Sequence, residues 1–281
     1  MYIGLGNYAI FFYITQHYYR TKNIIFFSII HSTFHILLVE VLMQAVIMAG
    51  GYGTRLKPLT DNIPKPMVPI INKPLIRYII EHLKSHGIDN IILTLGYLPK
   101  CIIEYLGDGR ELGVNLRYMI EREPLGTAGG VKNVEKYIED KFLVISGDAF
   151  TNIDISSMLD FHEKNKKSIT IAVKEVDDPR SFGVVKVDSN NTITSFIEKP
   201  LVIEDKLVNT GIYILEKNVL DRVPKNQKYD FGRDLFPTML GEMLAYKMDN
   251  YWSDIGTLSS YYLTNNYVAL NLDNFKSVLS K

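Results

Sequence analysis

The chain has 281 residues, room for one large or two modest domains around a sizeable core. Hydrophobic residues make up 47% and charged residues 22%, the proportions of a soluble globular protein. The 31 basic and 31 acidic side chains cancel, which argues against a non-specific nucleic-acid binder, and the single cysteine, Cys101, excludes an intramolecular disulfide and argues against a cysteine-based zinc site.

Residues 1–42 have a different character. They hold ten aromatic residues and only three charged ones, Arg20, Lys22 and Glu40. The apolar run at 24–39 is shorter than the roughly 20 residues a spanning helix needs, and His31 and His35 interrupt it. No small-residue cleavage site follows it, so a signal peptide is a poor fit. Three readings stand: a membrane-associating extension, an extra packed helix or hairpin, or a segment outside the functional protein. The last is favoured, because Met43 opens "MQAVIMAGG" and a complete domain, 43–281, follows from there. No membrane association of that domain is expected, and one cysteine is compatible with a reducing cytoplasm.

From Gln44 on, short apolar strands alternate with amphipathic helices. "QAVIMAG" reads as a buried strand. "KPLIRYIIEHLKSHG" reads as a helix, with Leu75, Ile79, Ile80 and Leu83 on one face and Gly87 as its cap. "NIILTLGY", "NLRYMIE" and "KFLVISGD" follow as strands, separated by the helices "KCIIEYLG" and "GTAGGVKNVEKYI". This run of βαβ units predicts an α/β, Rossmann-like, mostly parallel twisted sheet with helices on both faces. Ligands of such sheets bind beyond the carboxyl ends of the strands.

The second half is less regular. "SSMLDFHEKNK" predicts a helix and "SITIAVKEV" a strand; "FGVVKV" and "TITSFIEKP" flank the hairpin turn "DSNN". "VNTGIYIL" is a further strand, and "RDLFPTMLGEM" a helix that Pro237 should delay or kink. "AYKMDNYWSDIG" reads as strand and loop, and "TLSSYYLTNNYVALNL" as a closing helix.

The candidate chemistry begins at "AGGYGTRLKPLTDNIPKPM", residues 49–67. Three glycines at a strand exit, Gly50, Gly51 and Gly53, let backbone N–H groups approach an anion closely. Arg55 adds a planar fork for phosphate oxygens, and Lys65 a point charge held between prolines. The spacing fits neither Walker A, which needs G-x-x-x-x-G-K-[ST], nor the dinucleotide fingerprint, which would need glycine where Leu56 stands. Asp148 and Asp254 each follow an apolar strand, where either could cap a turn or ligate a metal. His82, His86 and His162 share no metal-ligand spacing and read as structural. Trp252 reads as core or pocket wall.

"GGYGTRLKPLT", with "PKPM" and "NKP" after it, resembles the signature of the sugar-1-phosphate nucleotidyltransferases, most of all the mannose-1-phosphate guanylyltransferase branch. The resemblance runs from Met43 to near residue 260. It implies a single nucleotidyltransferase domain of glycosyltransferase-A-like fold, joining a nucleoside triphosphate to a sugar 1-phosphate with Mg2+ as cofactor. By that resemblance Arg55, Lys65 and Asp148 are catalytic, and Asp148 and Asp254 hold the metal. Ala49, Gly50, Gly51, Gly53, Thr54, Glu123, Pro124, Leu125, Gly126 and Thr127 would bind the nucleotide. Gly147, Glu198, Lys199, Asn209 and Gly211 would bind the sugar phosphate.

The "GTAG" at 126–129 resembles the guanylyltransferase form of this turn and differs from the thymidylyltransferase form, and by that resemblance GTP is the favoured nucleotide. The alternatives are a glucose-1-phosphate thymidylyl- or uridylyltransferase and, in another class, a non-catalytic nucleotide-sugar-binding subunit. Relatives often form homo-oligomers, yet the pattern identifies no surface for one.

Overall fold

A computed structural model describes residues 43–272. The readings made for residues 1–42 lie outside the described residues. In chain order the elements are β1 (Gln44–Ala49), β2 (Pro69–Ile70), β3 (Lys73–Pro74), α1 (Leu75–Ser85), β4 (Asn90–Leu95), α2 (Pro99–Leu106), β5 (Asn115–Ile120), α3 (Gly126–Asn133), β6 (Lys141–Ser146) and β7 (Ala149–Thr151). Then come α4 (Ile155–Asn165), β8 (Ile169–Glu175), β9 (Gly183–Val187), β10 (Ile193–Glu198), β11 (Leu207–Glu216), β12 (Met243–Lys247), β13 (Trp252–Asp254) and α5 (Leu258–Leu270).

A nine-stranded sheet organises the fold, with strand order β10-β9-β11-β6-β1-β4-β5, β8 branching from β11 and β12 pairing with β8. β1 lies between β4 and β6, parallel to both, with Ile47 opposite Leu93 and Ile145. The other half is antiparallel around β11, which pairs with β6, β8 and β9. The sheet is therefore mixed: βαβ crossovers build one side, and hairpins the other.

Alternation along β1 divides the interior in two. Ala45, Ile47 and Ala49 join a core with Leu75, Ile76, Ile79 and Leu83 of α1, Ile102 of α2 and Met158 of α4. Val46 faces the opposite core, with Ala128 and Val131 of α3 and the Tyr213, Phe231 and Phe236 rings. The three strands β1, β4 and β6 are buried on both faces, which accounts for their near-continuous apolar runs.

One local expectation changes. "RDLFPTMLGEM" does not form an α-helix; it makes a π turn at Phe231–Leu235 and then a 3-10 turn at Phe236–Thr238. Pro237 cannot donate a hydrogen bond and closes the segment. Within "AYKMDNYWSDIG", read as strand and loop, the structure resolves two strands, the end of β12 and the short β13, the latter paired antiparallel with the three-residue β7. The "DSNN" turn forms as expected: the Asp188 carboxylate accepts the N–H groups of Asn190 and Thr192 at 2.9 and 2.8 Å.

Candidate active site

The glycine loop, Lys65, Asp148 and Asp254 meet at one edge of the sheet. β1 ends at Ala49 and releases Gly50, Gly51 and Gly53; its parallel neighbour β6 ends at Ser146 and releases Gly147 and Asp148. The two exits touch, with the Gly147 N–H donating to the Met48 carbonyl at 2.8 Å. A Cβ at Gly147 would sit 2.9 Å from that oxygen, so only glycine fits. Gly53 adopts φ 64° as the chain turns into the 3-10 segment Thr54–Leu56. A side chain there would strike Thr60 and the Lys65 Cβ at 3.1 and 3.2 Å, so the glycine loop is folded back onto the Lys65 segment.

Lys65 is the hub. Its Nζ donates to Asp148 Oδ2 and lies 3.3 Å from Asp254 Oδ1. Asp148 stands just before β7 and Asp254 ends β13, where Asp254 is opposite Ala149 and the Ile255 N–H donates to the Asp148 carbonyl at 2.9 Å. The Ser146 hydroxyl donates to the other Asp148 oxygen. Arg55 approaches from the glycine loop: a Cβ at Gly256 would meet Asp254 Oδ2 at 2.6 Å and Arg55 Nη2 at 3.2 Å. Thus Arg55, Lys65, Asp148 and Asp254 line one crevice.

Partial burial and charge govern their protonation. Burial alone would raise the Asp148 pKa, but Lys65 and the Ser146 hydroxyl hold it below the ordinary carboxylate value. Burial and the Asp148 charge push Asp254 up to about 6, against the pull of Lys65 and Arg55. For Lys65, burial opposes the charge, and the two carboxylates outweigh it and raise its pKa. One ammonium between two carboxylates leaves a net negative pair with side chains 24–27% exposed. That is the sparse, water-accessible oxygen set magnesium accepts. Among the described residues no group of three or more His, Cys, Asp or Glu forms a denser metal site.

The second glycine-rich turn closes one side. Glu123 and Pro124 are exposed, and Leu125 leads into α3 at Gly126, whose φ is 74°. Glu121, passed over in the sequence for Glu123, anchors this turn by accepting the Leu125 N–H at 3.2 Å. Its carboxylate also faces Gly50, where a Cβ would lie 3.8 and 4.0 Å from the two oxygens, and Gly130, where it would lie 2.4 Å from one of them. Burial raises its pKa, with the Leu125 N–H pulling the other way. Its position as the first residue beyond β5 was the available signal.

The other side comes from the antiparallel half. Glu198 ends β10, half-buried against Gly183 and Gly232, and burial raises its pKa despite Lys199 and Arg233. Lys199 turns away at φ 50°, exposed, with its Nζ 3.8 Å from Glu198 Oε1. Asn209 and Gly211 form an irregular step in β11. The Asn209 side chain accepts the Gly211 N–H at 2.9 Å and donates to the Tyr213 hydroxyl at 3.0 Å. Gly211, at φ 78°, packs against Ser146 beneath Asp148. Trp252 donates to the Thr210 carbonyl at 2.9 Å and rests on Phe182, as a wall.

A seam joining the two sides was not legible in the sequence. The Tyr229 N–H donates to the Leu125 carbonyl and the Gly129 N–H to the Tyr229 carbonyl, both at 2.9 Å. Asp230 Oδ1 accepts the Thr127 N–H and hydroxyl at 3.1 and 3.3 Å, and the Thr127 hydroxyl oxygen accepts the Phe231 N–H at 2.9 Å. The next residue, Gly232, lies against the Glu198 carboxylate. The π turn that follows fixes this loop, as such turns often do beside functional sites.

His82, His86 and His162 are structural. His82 Nε2 is 2.9 Å from the Ile153 carbonyl and its ring packs edge-on against His86. His162 lies between Thr170 and Glu216.

A mixed sheet with glycine loops and a Lys–Asp–Asp cluster at its carboxyl edge is the build of a nucleotide-transferring domain. The chain belongs to the nucleotidyl transferase family, whose model matches residues 44–270. It is 36% identical over 220 residues to a mannose-1-phosphate guanylyltransferase of Mycobacterium tuberculosis, covering 76% of this chain and 61% of the relative. It is 39% identical to a UTP–glucose-1-phosphate uridylyltransferase of Synechocystis, covering 78% of this chain and 62% of that one. A D-glycero-alpha-D-manno-heptose 1-phosphate guanylyltransferase of Campylobacter jejuni is 38% identical, with 78% of this chain and 97% of the relative covered. Among solved structures, HddC from Yersinia pseudotuberculosis superposes with a TM-score of 0.71 at 35% identity, over 80% of this chain and 99% of that one. The chain thus spans just over three-fifths of the length of the first two relatives, 61% and 62%.

Proposed function

We propose that the protein transfers a nucleotidyl group from a nucleoside triphosphate to a sugar 1-phosphate, giving an NDP-sugar and pyrophosphate. The observation that carries this reading is Lys65 held between Asp148 and Asp254, with Arg55 beside them and the glycine loop behind. Two anions must meet here, so the chain's task is neutralisation and in-line positioning, with no protein nucleophile. A sugar-phosphate oxygen attacks the α-phosphorus; the bond from that phosphorus to the β-bridging oxygen breaks, and pyrophosphate takes the electron pair. Arg55 and the N–H groups of the glycine loop hold the triphosphate and the departing pyrophosphate. Lys65 neutralises the two phosphates that approach each other. Asp148 and Asp254 would hold Mg2+, which when bound would add positive charge at the phosphate oxygens. Glu198 would orient sugar hydroxyls, and Lys199, whose Nζ is 3.8 Å from Glu198 Oε1, would meet the sugar phosphate.

We favour GTP, and mannose or a related manno-heptose 1-phosphate, as reactants. Glu121 supports the base. A carboxylate only accepts hydrogen bonds, and guanine offers two adjacent donors, N1–H and the 2-amino group. Uracil and thymine offer one N–H between two carbonyls, which a carboxylate repels. Two of the relatives above are named guanylyltransferases of manno-configured sugar phosphates, and an HddC structure holds GMP-PN. Uridylyl transfer to glucose 1-phosphate is the second reading, on the strength of the Synechocystis relative. A non-catalytic binding role fits poorly with a complete set of Arg55, Lys65, Asp148 and Asp254.

Pyrophosphate release with Mg2+, measured for GTP, UTP, dTTP, CTP and ATP against mannose, manno-heptose and glucose 1-phosphates, tests the proposal. The expected result is fastest release with GTP and a manno-configured sugar. Fastest release with UTP and glucose 1-phosphate would install the second reading, and no release with any pair would install the binding role.

A further inference from the structure

The outward face of α5 has no partner among the described residues. The helix "LSSYYLTNNYVAL" carries no charged side chain. Only Thr264 and Val268 are buried, while Tyr262, Leu263, Asn266, Ala269 and Leu270 are exposed. Leu270 is 85%, Leu263 66% and Tyr262 59% exposed. A solvent-facing helix normally carries charges outward, and a helix apolar all round is a covered one. Leu263, Asn266 and Leu270 follow a 3-then-4 spacing, the seam of a helix pair with one polar residue in it.

We propose that α5 is a homodimer interface, and that its occupant is α5 of a second copy of this chain in antiparallel array about a two-fold axis at Asn266. The face is self-complementary about that residue. Three positions to either side stand Leu263 and Ala269, so a large side chain meets a small one. Four positions to either side stand Tyr262 and Leu270, two apolar groups. At the axis, Asn266 meets its own equivalent, and an amide can both donate to and accept from another amide. A two-fold contact needs this self-matching, and an uncharged face carries no like-charge repulsion against itself. Tyr262, Leu263, Leu270 and the adjoining Leu272, 49% exposed, present on the order of 400–500 Å² of mostly apolar surface, over half of the roughly 800 Å² per partner in a standard interface. The Asn265 side chain is committed elsewhere, accepting the Ile71 N–H at 2.7 Å, which fixes the helix rotation and so the outward stripe.

Sedimentation equilibrium of the full chain at micromolar concentration tests this. The wild type sediments as a dimer. Leu263→Glu sediments as a monomer with an unchanged melting temperature in the dilute limit, because position 263 touches no core. Ala269→Lys alone is also monomeric, and an equimolar mixture of the two variants re-forms a dimer, since residue 263 of one copy faces residue 269 of the other. A monomeric wild type would overturn the proposal. So would a dimer indifferent to Leu263→Glu, or a mixture that stays monomeric. A large drop in the melting temperature of monomeric Leu263→Glu would show that the chain's own termini cover the helix, and would overturn it too.

Discussion

The two halves of the sheet build the crevice by different means. In the parallel half each strand delivers its residues where it stops: Gly50 after β1, Glu121 after β5, Gly147 and Asp148 after β6. In the antiparallel half Glu198 ends β10, and the other residues arise from irregularities: the step at Asn209–Gly211 in β11, Lys199 at positive φ, and the π turn after Asp230. Parallel strands all point their carboxyl ends one way, so exits converge by topology. Antiparallel strands do not, and must break their own ladders to face the same crevice. On the proposed function, the parallel half would hold the nucleotide and the irregular half the sugar phosphate.

The comparison can be broken most decisively where the halves meet. Lys65→Met should lower kcat by about a thousandfold, on the order of 4 kcal/mol, in a pyrophosphate-release assay with circular dichroism confirming the fold. Retained kcat would remove Lys65 from the chemistry. Within the parallel half, Glu121→Gln should cut the preference for GTP over UTP by roughly 10- to 100-fold, since an amide can donate to a pyrimidine carbonyl as a carboxylate cannot. An unchanged ratio of kcat/KM values would place base selection elsewhere.

A pH effect separates the scaffold from the crevice. Burial, with the His86 charge, lowers the His82 pKa to about 4 from 6.5. The folded state therefore keeps this ring neutral while the unfolded chain takes up a proton. Its stabilisation is fully present above pH 6.5 and is lost as pH falls toward 4, with about 2 kcal/mol gone at pH 5. Urea unfolding at pH 7 and pH 5 should show that loss, and His82→Gln should flatten it. The smallest effect is expected at the seam. Asp230→Ala frees the Thr127 N–H and hydroxyl, and should raise the nucleotide KM by roughly 5- to 10-fold, about 1 kcal/mol. If Asp230 also carries tension across to Glu198, the sugar-phosphate KM rises with it; if only the nucleotide KM moves, the halves act independently.

Much of the parallel half was legible because its signals are local. A glycine run after an apolar strand announces a loop, and cations beside it announce phosphate. Arg55 and Lys65 share one stretch of sequence, Asp148 and Asp254 stand in two others, and all four line one crevice. What joins them was not legible. β7 and β13 have three residues each, too few for any periodicity, and they pair across about a hundred residues of chain. Glu121 has one local signal, its place just beyond β5, and the packing of Gly50 and Gly130 shows that its carboxylate turns inward. Asp230 depends on a loop contact with Thr127, 103 residues away. α5 read simply as a helix, and its uncharged outer face gained meaning once Thr264 and Val268 were seen to be the buried side.

The central claim is that this crevice drives displacement at the α-phosphorus. Single-turnover reactions with mannose 1-phosphate and Mg2+, run with GTP labelled at the α-phosphorus or at the γ-phosphorus, test it directly. The account predicts that the α label appears in the sugar nucleotide and the γ label only in pyrophosphate, with both transfers lost together in Lys65→Met. A γ label on the sugar product, or turnover undiminished in Lys65→Met, would contradict it.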